Sequence, residues 1–300
     1  MLNNEKIKIG IAPIGWTNDD MPELGRDISF EQCIKEMEMA GYEGCEVGSK
    51  FPKNPKELKE KLATNNLQVA AQWFSSFFTT QKKQKTIERF KKHLDFLKKA
   101  GAKIAVISEQ GNSIQGQMKT PIFKEKPTLD ENGWEKLADG LNTLGEIAIK
   151  KGMRIAYHHH MGTVVQTREE VDTLMERTNP DKVFLLADTG HMAYHGGDPL
   201  KLLEDYLPEG RIAHIHLKDI RKDVIQEVKE EGLSFLKGVL KGTFTVPGDG
   251  DINFKPILDI IGSSEYEGWL LVEAEQDPQK ANPLKYAKKG RKTIKELGGI

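Results

Sequence analysis

One alternation runs the length of the chain: a short, continuously apolar run, then a longer amphipathic segment rich in Lys and Glu. Ile7–Ala12, Glu43–Val47, Leu67–Gln72, Ile104–Ile107, Arg154–Tyr157, Val183–Ala187, Ile212–Leu217 and Trp269–Val272 read as eight strands. Strands this evenly apolar need both faces covered, as in a parallel sheet wrapped in helices. The pattern predicts those helices at Ser29–Ala40, Asn54–Thr64, Lys82–Ala100, Gly133–Lys150, Arg168–Thr178, Pro199–Tyr206, Val224–Lys237 with Phe254–Ile261, and Pro283–Leu297. Local signals agree: Ser29 and Asn54 are N-cap types, Pro55 suits a first helical position, and Gly41 follows a helix end. Eight βα units in 300 residues imply an α/β fold, a (β/α)8 TIM barrel, with residues 1–300 as a single domain. A doubly wound sheet is the rival, but the first strand runs into Ala12-Pro13-Ile14-Gly15-Trp16-Thr17, which is not a dinucleotide fingerprint. A barrel requires Ile7–Ala12 to lie beside Trp269–Val272.

Charge and composition exclude several functions. Lys and Arg number 44 against 45 Asp and Glu, so there is no basic excess for a nucleic acid or an anionic membrane. No apolar stretch approaches a membrane span, and the opening MLNNEKIKIGIAP lacks a signal-peptide core, so a cytoplasmic location is expected. Two cysteines, Cys33 and Cys45, are too few for a disulfide scaffold and read as buried, inert thiols. Lys82–Lys92 reads as the solvated face of a helix, and Val246–Asp251 as a tight turn lacking the closing Glu of a calcium loop. Trp16, Trp73, Phe74 and Phe78 either line a pocket or cap the barrel.

Barrel active sites are built where strands end and βα loops begin. Those ends are crowded here: Tyr157-His158-His159-His160, Ala187-Asp188-Thr189-Gly190-His191, His214-Ile215-His216-Leu217-Lys218-Asp219 and Val272-Glu273-Ala274-Glu275. Of the eight histidines, seven lie in these segments or just beyond them (His195), and only His93 lies elsewhere. Period-two alternation puts His158 with His160, His214 with His216 and Glu273 with Glu275, and turns His159 away towards the outer helices. Mixed imidazole and carboxylate donors suit Mn, Co, Fe or Zn, and three or four ligands with open positions mark a catalytic site.

Asp188-Thr189-Gly190-His191, His214-x-His216-Leu217-Lys218-Asp219 and Glu273 resemble the xylose-isomerase-like, apurinic-endonuclease-type barrels. More narrowly, Ile11 through Asp20, Tyr157 through Thr163, Phe244 through Gly250 and Trp269 through Pro278 resemble the inosose dehydratases of inositol catabolism, over essentially the whole chain. That resemblance implies loss of water from 2-keto-myo-inositol (scyllo-inosose) to a trihydroxycyclohexane-dione, with Mn²⁺ or Co²⁺ and with glutathione as a further cofactor. By position it implies His158, Asp188, His216 and Glu273 as metal ligands, with His158 standing where ketose isomerases have Glu. Dehydration begins with removal of the proton alpha to the carbonyl, and Glu273 or His158 are the expected bases. His160, His191 or Lys218 are the expected acid and substrate orienters, although Lys218 has the alternative of pairing only with Asp219. Asn18, Gln72, Glu109, Gln110 and His214 are expected to bind substrate hydroxyls.

The expected partner is a small polyhydroxy cyclic ketone, with no nucleic acid or membrane, and a homo-oligomer is compatible with this. The alternative on the same barrel is a ketose isomerase or 3-epimerase. A DNA-repair endonuclease would need metal histidines where this chain has Gln72-Trp73 and Glu109-Gln110. A non-catalytic sugar-binding barrel remains a third class.

Overall fold

The computed structural model describes residues 1–300. In chain order its strands are β1 (Ile7–Ile11), β2 (Gly44–Cys45), β3 (Gln68–Val69), β4 (Trp73–Ser76), β5 (Ile104–Glu109), β6 (Arg154–His158), β7 (Val183–Asp188), β8 (Ile212–Leu217), a two-stranded hairpin β9 (Asp219–Ile220) and β10 (Phe244–Thr245), and β11 (Gly268–Val272). All pairings in the main sheet are parallel, and β1 lies against β11 with Ile7 opposite Gly268 and Ile11 opposite Val272, as a barrel requires. The ring closes through one stretch of chain. Val47 N–H donates to Ala71 O on one side of it, and Val106 N–H donates to Gln72 O on the other. The expected third strand, Leu67–Gln72, is therefore a longer run of which β3 and β4 are the two paired ends. The second strand is shorter than expected, and its Gly44 is obligatory: a Cβ there would lie 2.4 Å from Trp269 and 2.6 Å from Gln68 O.

The helices are α1 (Phe30–Met39), α2 (Pro55–Ala63), α3 (Lys83–Ala100), α4 (Glu131–Ile149), α5 (Arg168–Arg177), α6 (Thr189–Tyr194), α7 (Pro199–Tyr206), α8 (Lys222–Glu230), α9 (Phe235–Lys241), α10 (Phe254–Ser263) and α11 (Pro283–Gly298). Ser29 and Asn54 cap α1 and α2 through their side chains, as their positions suggested. The expected helix Val224–Lys237 is two helices. Gly232 turns the chain at φ 63° and Ser234 caps α9 by accepting from Lys237 N–H, so the run cannot continue. Helix α6 has no counterpart in the hydropathy pattern, because it is buried on nearly every side. Apolar side chains on the outer wall face fill the space beneath the helices, while Ala71, Ile104, Val106, Ala156, Leu186 and Ala213 form a small separate cluster on the inner face. Ala156 and Leu186 share strand faces with His158 and Asp188, so the polar layer sits directly on that apolar floor.

His93 lies on α3, its ring 5.2 Å from that of Phe74 and 6.5 Å from that of Phe90. Burial pushes its pKa down from 6.5 to about 4. The unfolded chain therefore binds a proton that the folded chain refuses, so stability present above pH 6.5 drains away as pH falls towards 4. Denaturant melts of wild type and His93→Phe between those limits should show a smaller acid loss in the variant.

Candidate active site and metal centre

Four neighbouring strand ends supply the polar layer: His158 closes β6, Asp188 closes β7, His214 and His216 lie on β8, and Glu273 and Glu275 follow β11. Asp188 has two tasks. Its Oδ1 accepts from His191 N–H at 2.7 Å and so caps α6, while its buried Oδ2 has no hydrogen-bond partner. That free oxygen lies 3.6 Å from His158 Nε2 and 3.4 Å from His216 Nδ1. His158 Nδ1 lies 2.6 Å from the carbonyl of His159, which makes Nδ1 the protonated nitrogen and leaves an electron pair on Nε2. His216 Nδ1, also buried and without a partner, lies 3.2 Å from Glu273 Oε2.

Two imidazole nitrogens and two carboxylate oxygens thus face one another, and two of the four, Asp188 Oδ2 and His216 Nδ1, have no hydrogen-bond partner. This is the arrangement a divalent cation completes, and the N/O donor set suits Mn, Co or Zn. His191 is close enough to be an alternative donor: ligand atoms of His158, Asp188, His191 and Glu273 all lie within 4.8 Å of one another. Electrostatics say the same. Burial opposes a charge on His216, yet the carboxylates of Glu273, Glu46 and Asp188 outweigh it and lift its pKa to about 10. A proton on Nδ1 and a metal ion compete for the same electron pair.

Lys218 is buried behind these groups, its Nζ 2.6 Å from Glu273 Oε1, 3.0 Å from Glu275 Oε1, 3.0 Å from His191 Nε2 and 4.6 Å above the Phe244 ring. Burial disfavours its charge, but Glu273, Asp188 and Glu275 overcome that and raise its pKa above the usual lysine value. Burial lifts the Glu275 carboxyl to about 7, and with the nearby Lys218 charge pushes His160 down to about 3.

A cavity of ≈ 250 Å³ opens onto this layer, lined by His158, His160, His216, Glu273, Glu275, Glu46, Gln72 and Trp73 at its floor and walls, with Asp19, Asp20, Lys53 and Gln115 also contributing. It is smaller than the roughly 300–1,000 Å³ typical of drug-sized ligand pockets, which favours a substrate of monosaccharide size.

Several expected contacts are corrected. Glu109 does not face the cavity. Its carboxylate accepts from Ser76 Oγ, Phe78 N–H, Thr79 N–H and Thr79 Oγ1 at 2.6–3.1 Å, and so ties down the loop after β4. Asn18 turns its Oδ1 onto Asp20 N–H and Met21 N–H, shaping the loop that carries Asp19 and Asp20. Gln110 is spent on Ser108 Oγ and Gln115 Oε1, and His214 lies beneath the cavity against Glu46. His191 and Lys218 sit one layer behind the lining, in contact with each other and with Glu275. Lys218 does not pair with Asp219, whose carboxylate instead holds the N–H groups of Gly248, Gly250 and Ile252 and pins the Val246–Asp251 turn. His159 turns away as alternation required, its Nε2 accepting from Asp188 N–H at 3.3 Å. Trp73 lines the cavity, while Trp16, Phe74 and Phe78 are buried. Cys33 and Cys45 are buried free thiols.

Glu46 was not singled out from sequence, and Glu275 was noted only as sharing a strand-end face with Glu273, without a role. Both were detectable by the same criterion as the others, an acidic residue just beyond a strand, but neither has a neighbouring histidine in sequence to mark it.

Fold and site together define a xylose isomerase-like TIM barrel, and that family's model matches residues 24–297. A protein named inosose dehydratase from Clostridium tetani is 57% identical over 300 residues, covering 100% of both chains, and one from Geobacillus thermodenitrificans is 56% identical over the same span. This chain belongs to the inosose dehydratase family. Among solved structures, the IOLI protein with a binding zinc atom superposes with a TM-score of 0.71 at 19% identity, covering 97% of this chain and 98% of that one, a likeness of fold.

Removing the Glu109 charge should cost stability and spare the metal. Glu109→Gln puts an amide where four donors converge, with an expected loss of about 2–3 kcal/mol by denaturant titration and unchanged metal content. His159→Ala should leave turnover close to wild type, since its ring never reaches the cavity.

Proposed function

We propose that this chain removes water from 2-keto-myo-inositol (scyllo-inosose) to give a trihydroxycyclohexane-dione, with a divalent metal held by His158, Asp188, His216 and Glu273. The observation that carries the reading is the pair of partnerless buried acceptors, Asp188 Oδ2 and His216 Nδ1, at the floor of a small polar cavity in a full-length relative of inosose dehydratases. Manganese or cobalt is the proposed metal, on the family resemblance and on a mixed imidazole and carboxylate donor set. Glutathione is proposed as a further cofactor on family grounds. The acting unit is the whole chain, 1–300, as one cytoplasmic domain needing no nucleic acid. No helix is long and apolar enough to cross a membrane.

A bound divalent ion supplies Lewis-acid stabilisation of the negative charge that develops on the ketone oxygen. The residues do the rest. Glu273 at the cavity floor takes the proton from the carbon alpha to the carbonyl, since a metal ion on His158 Nε2 would occupy the only electron pair that ring has free. The hydroxyl on the beta carbon leaves as water after receiving a proton from Glu275, which lies 4.0 Å from His160 Nε2. Burial lifts Glu275 to about 7, so a fraction of its carboxyl carries a proton at neutral pH. Lys218 bridges Glu273 and Glu275 and holds the two carboxyls in fixed relation. Gln72, Asp19, Asp20, Lys53 and Gln115 offer hydrogen bonds to the remaining ring hydroxyls. The product enol tautomerises to the dione.

The direct test is ultraviolet absorbance of a conjugated enol-dione when scyllo-inosose meets the metal-loaded protein. No absorbance change with inosose, together with turnover of free ketoses, would replace this reading with a ketose isomerase or 3-epimerase. Asp188→Ala, His216→Ala and Glu273→Ala should each lower metal content and cut turnover by about a thousandfold or more, some 4 kcal/mol of barrier. His158→Glu restores the carboxylate pair of ketose isomerases. The expected result is slower dehydration, retained metal, and deuterium from heavy water appearing in recovered substrate. Unchanged dehydration without exchange would make His158 a spectator.

A further inference from the structure

Glu46 follows β2 directly and reaches across the lumen to β8, where one of its carboxylate oxygens meets two histidines. Oε1 lies 3.1 Å from His214 Nε2 and 3.0 Å from His216 Nε2. An ionised carboxylate only accepts hydrogen bonds, so both Nε2 atoms must be the protonated ones. For His216 this choice matters. Its Nδ1 points the other way, at Asp188 Oδ2 3.4 Å off and Glu273 Oε2 3.2 Å off. With the neutral ring protonated at Nε2, Nδ1 carries an electron pair and joins two acceptors around a space only a cation satisfies. With the proton on Nδ1 instead, the ring would donate to Asp188 and Glu273, fill that space with its own hydrogen, and leave Nε2 facing Glu46 acceptor to acceptor.

We infer that Glu46 is a positioning residue for metal binding, selecting the His216 tautomer and ring orientation that present Nδ1 to the ion. The inference rests on the metal reading above. His214 is the second half of the device. Buried beneath the cavity and two residues before His216 on the same strand face, it donates to the same oxygen and holds the Glu46 carboxylate in place. This accounts for a histidine that reaches neither the cavity nor the presumptive ligand set. Carboxylate–histidine–metal chains of this kind typically raise affinity by 10–100-fold. Glu46, His214 and His216 also form a group with ligand atoms within 4.8 Å of one another, so a second ion bound there is the competing account. Two ordinary hydrogen bonds already explain the 3.0 and 3.1 Å separations.

The test is titration of Co²⁺ into the metal-free full-length protein, followed by calorimetry and by the visible absorption of the bound ion. Wild type should take up one Co²⁺ per chain. Glu46→Ala should bind it roughly 10–100-fold more weakly, with a changed visible spectrum because His216 no longer presents Nδ1 in a fixed orientation. Glu46→Gln, equal in size and uncharged, should also bind more weakly and decides the matter if the alanine variant does not fold. His214→Gln keeps an N–H donor for Glu46 and should lose less affinity than Glu46→Ala. Wild-type affinity and spectrum in both Glu46 variants would overturn the inference. So would two ions in wild type falling to one in the variants, since Glu46 would then be a ligand itself. A wild-type chain that takes up no Co²⁺, Mn²⁺ or Zn²⁺ would bring down the metal reading first, an outcome distinct from either of these.

Discussion

Everything at the C-terminal end of this barrel is organised around an excess of buried negative charge. Glu46, Asp188, Glu273 and Glu275 all face one small volume, and Lys218 is the fixed cation placed among three of them. Carboxylates out of water cost several kcal/mol each unless paired, so the layer is tolerable only with further positive charge. The protein supplies some of it by drawing a proton onto His216. A divalent ion would supply it better, replacing that proton and satisfying the oxygen of Asp188 that has no hydrogen-bond partner. Metal affinity and fold stability are therefore linked, because an ion that binds only the folded chain stabilises it by mass action.

The scaffold makes that concentration of charge geometrically possible. Each wall strand contributes one inward residue per layer, and the layer below the ligands is apolar and small, with Ala156 and Leu186 under His158 and Asp188. Small side chains fill the lumen without crowding it, while the helices bury the outer face of the wall. The loops are held as firmly as the strands. Glu109 anchors the turn after β4 and Asp219 anchors the turn after β10, each with a carboxylate saturated by N–H or O–H donors. These acids resemble site residues in sequence and serve a different end, to fix the turns after β4 and β10.

Division of labour within the site follows from depth. Groups at the cavity surface, His158, His160, Glu273 and Glu275, can meet a substrate. Groups one layer back, Lys218, His191 and His214, together with Glu46 on the cavity wall, contact the first group through hydrogen bonds and ion pairs. Such supporting contacts decide which nitrogen of an imidazole is free and which oxygen of a carboxylate is idle, and chemistry at a metal depends on those choices.

Period and spacing in the sequence determined the barrel, the closing of β1 on β11, and the set of strand ends bearing His158, Asp188, His216 and Glu273. These are local properties: an apolar run of strand length and a side-chain period of two can be read without knowing what lies across the lumen. The same period placed His159 on the outer face. Tertiary structure decided what no local rule encodes, namely which neighbours consume a polar group. Glu109 and Asn18 sit beyond strands like the ligands, but donors from the segment after β4 saturate the Glu109 carboxylate and the N–H groups of Asp20 and Met21 occupy Asn18 Oδ1. Lys218 found Glu273 and Glu275, 55 and 57 residues away in sequence, in preference to the adjacent Asp219. Glu46 and His214, 168 residues apart, share one hydrogen-bonded oxygen only because β2 and β8 face each other across a closed ring. Covalent neighbours fix where a side chain starts and which face it leaves from. Only the closed barrel fixes what it meets.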